Sequence, residues 1–513
     1  MVIRGARSGS AVAAARLGAA VVVAFLIAVI VRLPWRGDLG IHAATVERLR
    51  HDLLHPGDPL VDADAASPYY SPWTVFLGAV ARLTGAGTFG VLRGAALVGL
   101  AALVTGVWRF TRTLSDHRAA PPLALLALLL LWGPALFSWS GFLGLDSLAL
   151  TVAYPSTFAL GLAFHLWAWL RGSLRDGAGW GRWLGLGGLW AVILLVHQFT
   201  GVVASLGIVA LGASAVVPRS AAGRLRIRRG WSRSSPRPFG ALLLGLVLLA
   251  VWPYYSFFAL LGAGGGLEDI HRALYRDLPG RYAFVLLGVA ALALRFRRDR
   301  RDPLVLFFVL GAAVVAAGLC TGHYSWGRAL PAALVPAQLA AALEAVEGGF
   351  GRARAAFAAL LALALAAGAW TQAGALGYVL PRSALPPPVA AKYREPWPGY
   401  RWITPWVRYG DVVMAKTFPA RQIPAYGAYT VAPGYPDFFL PDEAAREAAV
   451  RRYFAPGTPR AARLEVLRRY GVRWVVARPG DGGPRPGDPA LREVARGLRG
   501  QVLYEARVSA PRS

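Results

Sequence analysis

Long apolar runs separated by short arginine-rich breaks set the pattern of this chain up to about residue 380. Each run extends for about 17 to 25 residues, enough for a helix to cross the hydrocarbon core of a bilayer. The pattern predicts spans at about 12–33, 88–110, 120–137, 147–170, 183–197, 199–217, 240–260, 282–296, 303–319, 328–346 and 355–380. The chain therefore reads as an α-helical polytopic membrane protein of about 11 spans. One further apolar stretch, "SPWTVFLGAVARLTG" (71–85), is shorter, contains Arg82 and is framed by Pro72 and Gly85. It reads as a helix lying on the membrane, with a short true span as the alternative.

Beyond residue 380 the texture changes. "PRSALPPPVAAKYREPWPGY" is a Pro-rich linker, placed at 381–400. "GDVVMAKTF" reads as a strand. "RAARLEVLRRYGVRWVVARPG" reads as a helix, a glycine stop after Tyr470 and a strand, and "DPALREVARGLRGQVLYEARV" as a second helix and strand. The expected organisation is a multi-span domain over 1–380, the linker, and a small soluble α/β domain over 401–513.

Charge fixes the expected orientation. With the N-terminus inside and 71–85 not spanning, "RFTRTLSDHR", "RGSLRDGAGWGR", "PRSAAGRLRIRRGWSRSSPRP", "RFRRDRRD" and "GRAR" all fall on the cytoplasmic side. The first outer loop, 34–87, and the C-terminal domain then lie outside the cell membrane. A spanning 71–85 would turn every later arginine-rich loop outward. The same placement accounts for the net charge of +28 without nucleic acid as a partner. Charged residues make up 16% of the chain and mean hydropathy is 0.45, as expected of a protein surrounded by membrane lipids. Cys320 is the single cysteine, which excludes an internal disulfide and a cysteine-based zinc site. Arg4, Arg7 and Arg16 precede a first apolar run with no small-residue cleavage pattern, so that run reads as an uncleaved signal anchor.

The residues suited to chemistry gather on the outer side. Asp38 follows the first span and stands four residues before His42. If "DLGIHAATVERLRHDLL" is a helix, the two share a face, and Ile41, Val46, Leu49 and Leu53 give it a membrane-facing stripe. Asp38 can serve as a general base, with His42 supporting it or binding phosphate, or it can simply cap the helix. His51, Asp52 and His55 read as surface groups. Asp62 and Asp64 form an Asp-x-Asp pair able to coordinate a divalent cation such as Mg or Mn, and equally an ordinary loop pair. Tyr69, Tyr70 and Trp73 fit an interfacial belt or a platform for a sugar ring.

Asp146 sits at the start of a span, where an ionisable group is costly, with a helix cap as the other reading. His197 lies near the outer end of a span, as a ligand group or a buried hydrogen-bonded histidine. "GHYSWGRALPA" supplies His323, Tyr324 and Arg328, and Arg328 is well suited to a phosphate, with snorkelling to the interface as the alternative. Glu268, Asp269 and His271 form a weaker set. No Walker A sequence, dinucleotide fingerprint, HExxH or GxSxG is present, so no nucleotide cofactor is expected.

The first span, the outer loop opening on an acid, and "YYSPWTVFLGAVARLTGAGTFGVLRGAALVGLAALVTGVWRF" together resemble the first module of the GT-C superfamily of integral membrane glycosyltransferases. In that superfamily the first outer loop carries the catalytic Asp or Glu and two interfacial helices. Here these correspond to Asp38, about 38–54 and about 71–84. "YSWGRALPAALVPAQLAA" is similar to the Gly-Arg-x-x-Pro opening of a late span in many members, and a C-terminal outer α/β domain is common among them. Many members carry two acids in a row after the first span, where "RGDLGIH" has Asp38 alone; this leaves metal use and the acceptor open.

The resemblance implies an inverting hexosyl- or pentosyltransferase, mannosyl- or arabinosyltransferase-like. It would take a sugar from a polyprenyl-phosphate donor and pass it to a glycan, lipid or protein acceptor on the outer face. A transporter or flippase for lipid-linked sugars is the first alternative; few charges lie deep in the spans and no internal repeat supports one. A polymerase or ligase of lipid-linked saccharides is the second, although no large outer loop interrupts the middle of the chain.

Overall fold

Proline and glycine decide where the apolar runs stop being helices. The computed structural model describes residues 2–216, 236–262, 268–347, 351–483 and 487–507. Most of the arginine-rich segment 218–238 lies outside the described residues, as does the start of "GLEDIH".

Each of the expected spans coincides with a helix, but they are not equal. Among the described residues, seven helical segments are long and apolar enough to cross a membrane, or eight if the bent pair Leu145–Thr151 and Pro155–Asp176 counts as one span. That pair turns by 118° ahead of Pro155, whose ring cannot continue the preceding helix. Ala120–Leu130, Trp180–Val196 and Arg237–Ala250 are apolar but shorter. The run expected to reach residue 137 ends ahead of "WGP", and the run expected to reach 260 ends ahead of Pro253. The segment 71–85 folds as Pro72–Thr84, 13 residues capped by Ser71 and Thr74 in a capping box. At about 1.5 Å per residue it falls well short of a bilayer.

The chain divides into two compact units. The first comprises Met1–Pro34, Ala95–Trp252 and Gly264–Glu395; the second comprises Trp35–Gly94, Pro253–Ala263 and Pro396–Ser513.

In the first unit, Pro331–Glu347 is buried along most of its length and packs against Leu286–Arg298, Pro303–Thr321, Ala120–Leu130 and Arg352–Thr371. Small residues let these helices approach closely, as membrane helices require. Gly161, on Pro155–Asp176, shows the same constraint elsewhere in the unit: a Cβ there would lie 2.6 Å from the Leu103 nitrogen of Thr88–Leu114. At one end of this bundle Arg298 pairs through both terminal nitrogens with Glu344, and Arg295 pairs with Asp302, whose other oxygen accepts from Leu304 N. Part of the arginine-rich break 295–302 is thus used by the fold itself.

The second unit is built on a five-stranded mixed sheet: β1 (Val412–Met414), β2 (Tyr429–Thr430), β3 (Val472–Ala477), β4 (Leu491–Arg496) and β5 (Val502–Ala506), in the order β2-β1-β3-β5-β4. β1 runs parallel to β2 and β3, and β5 runs antiparallel to β3 and β4. Alternation along β3 sends Val475 and Ala477 to the side covered by helices Glu443–Phe454 and Arg460–Arg469, and Trp474 and Val476 to the other core. The expected glycine stop is Gly471, with φ of 58°. The helix expected within "DPALREVARG" is instead β4: "GLRG" closes a hairpin, with Arg499 and Gly500 at positive φ, and β4 pairs with β5.

The loop after the first span is part of this unit. Its helix, Leu39–His51, packs against Pro72–Thr84 and against Ile423–Tyr426. Ile41, Val46 and Leu49, expected to face the membrane, are all fully buried within the protein. Ile41 and Ala44 share a cluster with Leu60, Val61, Tyr435 and Leu440. The helical spacing is right, but the apolar solvent it meets is protein. Further along, Thr430 N donates to Leu60 O at 2.8 Å and Val61 bridges Thr430, so the loop extends the sheet beyond β2. Arg48, also fully buried, donates to the carbonyls of Gly427 (2.9 Å) and Ala428 (2.6 Å) and lies over the rings of Tyr429 (3.6 Å) and Tyr409 (4.9 Å).

Asp58 is completely buried in the same unit, with one carboxylate oxygen accepting from Leu60 N and Val61 N. Burial, then the facing Asp437 carboxyl, pushes the Asp58 carboxyl well above the usual range.

Two outcomes follow from this architecture. A raised folded pKa stabilises the fold fully below the unfolded carboxylate value of about 4, and that contribution is lost as pH rises toward the folded value. Asp58→Asn keeps the shape without titrating, so the thermal midpoint of the wild type relative to this variant should fall as pH rises from about 4; a flat difference rejects a raised Asp58 carboxyl. Gly161→Val should lower stability in detergent by about 1–3 kcal/mol through overpacking, read from the thermal midpoint.

Candidate active site

The helix Leu39–His51 begins one residue after Asp38, which is half-buried. Asp38 O accepts from His42 N at 3.3 Å, so its backbone opens the helix, but its side chain makes no capping hydrogen bond. Asp38 thus holds the N-cap position weighed from the sequence, through its backbone alone. His42 is buried, with its ring edge-on to Tyr69 at 5.9 Å. Burial lowers its pKa to about 3, so it is a neutral imidazole and offers no positive charge to a phosphate. His51, Asp52 and His55 are exposed.

Asp62 and Asp64 are both exposed, and the Asp62 carbonyl accepts from Arg446 Nη2 at 3.2 Å. Among the described residues no group of three His, Cys, Asp or Glu side chains is placed to hold a metal ion.

In the other unit, the 3₁₀ turn Tyr324–Ala329 leads into Pro331–Glu347 and turns Arg328 inward, so that it is 7% exposed. Its Nη1 donates to Ser140 O at 2.8 Å, its Nη2 lies 3.3 Å from His197 Nε2, and its guanidinium sits 4.4 Å from the centre of the Phe199 ring. His197 is the joint between Trp180–Val196 and Gln198–Val216, and its Nδ1 lies 2.8 Å from Thr200 Oγ1. Because arginine can only donate, Nε2 accepts from Arg328 and the ring proton lies on Nδ1, facing the Thr200 hydroxyl, while Thr200 N also lies 3.2 Å from Nδ1. These residues line a narrow recess with Gly141, Phe142, Val203 and Pro331, too tight in this structure to admit a water molecule. His271, from the weaker set, is buried between the rings of Trp139 (6.1 Å) and Phe199 (5.4 Å) beside it.

Asp146 is not on that recess but is tied to its wall. Gly144 holds the cap position of Leu145–Thr151, so Asp146 is inside the helix rather than its cap. Its carboxylate accepts from Tyr378 OH at 3.2 Å, and its backbone N donates to Gln372 Oε1 at 3.0 Å. The next residue, Ser147, places its hydroxyl on Trp139 N and Phe137 O. That loop presents the Ser140 carbonyl to Arg328. His323 and Tyr324 point elsewhere: His323 is exposed against Thr321 and Trp326, and Tyr324 lies under Arg272 and edge-on to Tyr275. Glu268 accepts from Ser325 in the same surface group.

The arrangement therefore brings Arg328 and His197 together with Ser140, Phe199 and Thr200, which the sequence did not single out. Only the serines of "SWSGF" between aromatic residues marked the loop as more than filler.

No protein-family model matches the chain, and no curated protein matches it in sequence. Solved structures match it in fold. The arabinofuranosyltransferase AftD from mycobacteria aligns at a TM-score of 0.54 and 17% identity, over 96% of this chain and 40% of AftD. ArnT from Cupriavidus metallidurans aligns at 0.52 and 15% identity, over 97% of this chain and 100% of ArnT. ArnT bound to undecaprenyl phosphate aligns at 0.51 and 16% identity, over 98% of this chain and 99% of that one. The chain spans less than half the length of AftD. An arginine-bearing recess among apolar helices, a helical first loop and a terminal mixed sheet thus belong to a chain with the fold of the GT-C integral membrane glycosyltransferases.

Proposed function

We propose that the chain is a membrane glycosyltransferase that moves a sugar from a polyprenyl-phosphate donor to an acceptor on the outer face of the cell membrane. The observation that carries this reading is the buried Arg328, held by Ser140 O and flanked by His197 and Phe199, in a chain of GT-C fold. Arginine presents a planar fork that matches two phosphate oxygens, and a low-dielectric recess strengthens that attraction. Undecaprenyl phosphate bound to ArnT, a protein of the same fold, supports a lipid phosphate as the ligand class. The arginine-rich loops support a cytoplasmic N-terminus and an external C-terminal domain.

In this reading Asp38 is the base, by its position after the first span. It accepts the proton of an acceptor hydroxyl while the hydroxyl oxygen attacks the anomeric carbon. The bond from that carbon to the phosphate oxygen breaks, its electron pair leaves with the lipid phosphate, and the configuration inverts. Independently of Asp38, Arg328, its plane fixed by the Ser140 carbonyl and His197, is suited to bind a lipid phosphate. Asp146 anchors its helix to Tyr378 and Gln372, and the adjoining Ser147 holds the loop that carries Ser140.

The test uses protein reconstituted with undecaprenyl-phosphate-linked pentoses and hexoses and a membrane extract as the acceptor source, with released undecaprenyl phosphate as the readout. Asp38→Asn should lower turnover by about 100-fold or more while the protein stays folded and inserted. Wild-type turnover in that variant would remove Asp38 from the base role. Arg328→Gln should raise the donor KM and cut turnover by about tenfold or more. Movement of labelled lipid-sugar across liposomes, with no release from any donor, would move the reading to a flippase.

A further inference from the structure

The residues around Asp38 come from two distant parts of the chain. On its N-terminal side Gly37 turns the backbone at a φ of 69°. The hydroxyl of Tyr435 lies 3.0 Å from Gly37 O and 3.3 Å from Arg421 O, sharing its one proton between them. On the C-terminal side, Gly40 lies so close to Arg421 that an added Cβ would fall 1.8 Å from the Arg421 carbonyl oxygen. Both peptide neighbourhoods of Asp38 are therefore seated on Arg421 and Tyr435, almost 400 residues away in sequence.

That seat is itself rigid. Arg421 Nε donates to Gly434 O at 2.8 Å, and its guanidinium lies 5.4 Å from the centre of the Tyr435 ring. Tyr435 is 8% exposed and packs with Ile41, Ala44, Leu60, Val61 and Leu440. Side chains on helix termini hold their geometry only as well as the backbone beneath them, and a sub-ångström displacement of a base is felt in the rate. Neither residue needs to meet substrate to matter: a hydroxyl on the Gly37 carbonyl fixes where the next residue starts.

We propose that Tyr435 and the Arg421 carbonyl, both from the C-terminal domain, are positioning elements for Asp38. The C-terminal domain is then a working part of the catalytic apparatus. This rests on the assignment of Asp38 as base in the proposed function.

Two measurements test it. In the turnover assay above, Tyr435→Phe removes one hydroxyl and should lower kcat by about fivefold, with the donor KM changed less than about twofold. Gly40→Ala, which pushes the helix off the Arg421 carbonyl, should show the same split. Asp38→Asn in combination with Tyr435→Phe should be no slower than Asp38→Asn alone, because the hydroxyl acts through the carboxylate. The second measurement needs no substrate. With Cys320→Ser removing the only native thiol, Asp38→Cys introduces a single reporter, and its maleimide labelling rate is followed from pH 6 to 9. Adding Tyr435→Phe should shift that rate profile, whereas Arg496→Gln on strand β4 should not.

Wild-type kcat and an unchanged labelling profile in Tyr435→Phe would overturn the inference. If Asp38→Asn retains full turnover, the function reading fails first, and the labelling profile still decides whether Tyr435 fixes residue 38.

Discussion

Burying a guanidinium costs several kcal/mol unless other groups take the place of its water. Arg48 is buried completely, and the groups that replace its water belong to the far end of the chain: two carbonyls at Gly427 and Ala428, and the faces of Tyr409 and Tyr429. A charge in that position enforces register, because an arginine displaced by one helical step would lose both carbonyls together. The rest of the second unit is arranged around this fixed point. The helix that carries Arg48 also carries Ile41 into the cluster with Tyr435 and opens at Asp38. The strand edge that Leu60 and Val61 complete begins two residues beyond Ala428.

The first unit follows a different rule. Its helices approach through glycine and alanine, and its polar groups gather where helices break: at His197 between two helices, at the 118° bend before Pro155, and in the 3₁₀ turn carrying Arg328. Broken helices release backbone groups that must find partners inside the protein. Here Ser140 O finds Arg328 and Asp146 N finds Gln372. The same irregularity that interrupts the spans supplies the recess beside Arg328.

Hydropathy read most of the first unit well, because apolar runs of bilayer length have few other uses. It overran at Leu130 and Ala250, where a proline a few residues ahead closed the helix. The stripe on Leu39–His51 had the right periodicity but the wrong surroundings, since spacing alone does not distinguish lipid from a protein core. "LREVARG" carries a helical composition, and only its pairing with Val502–Ala506 makes it a strand. In the site, Arg328 and His197 were legible as costly polar groups at span ends. Their meeting was not, nor were the roles of Ser140, Phe199 and Thr200, which are ordinary residues made particular by long-range contacts. Tyr435 and Arg421 gave no signal at all, because a hydroxyl on a backbone carbonyl leaves no pattern in a sequence.

The bridge between Val61 and Thr430 bears on how such a chain can change over generations. A sheet whose edge is completed by a segment from near the start of the chain is not a detachable module. Exchange of residues 396–513 with the corresponding part of another protein would bring in a sheet without its edge partner and leave the buried Arg48 without its native carbonyls. Inheritance of the terminal domain is thereby tied to inheritance of the first loop, and the two should diversify as one piece despite the membrane-spanning stretch that separates them.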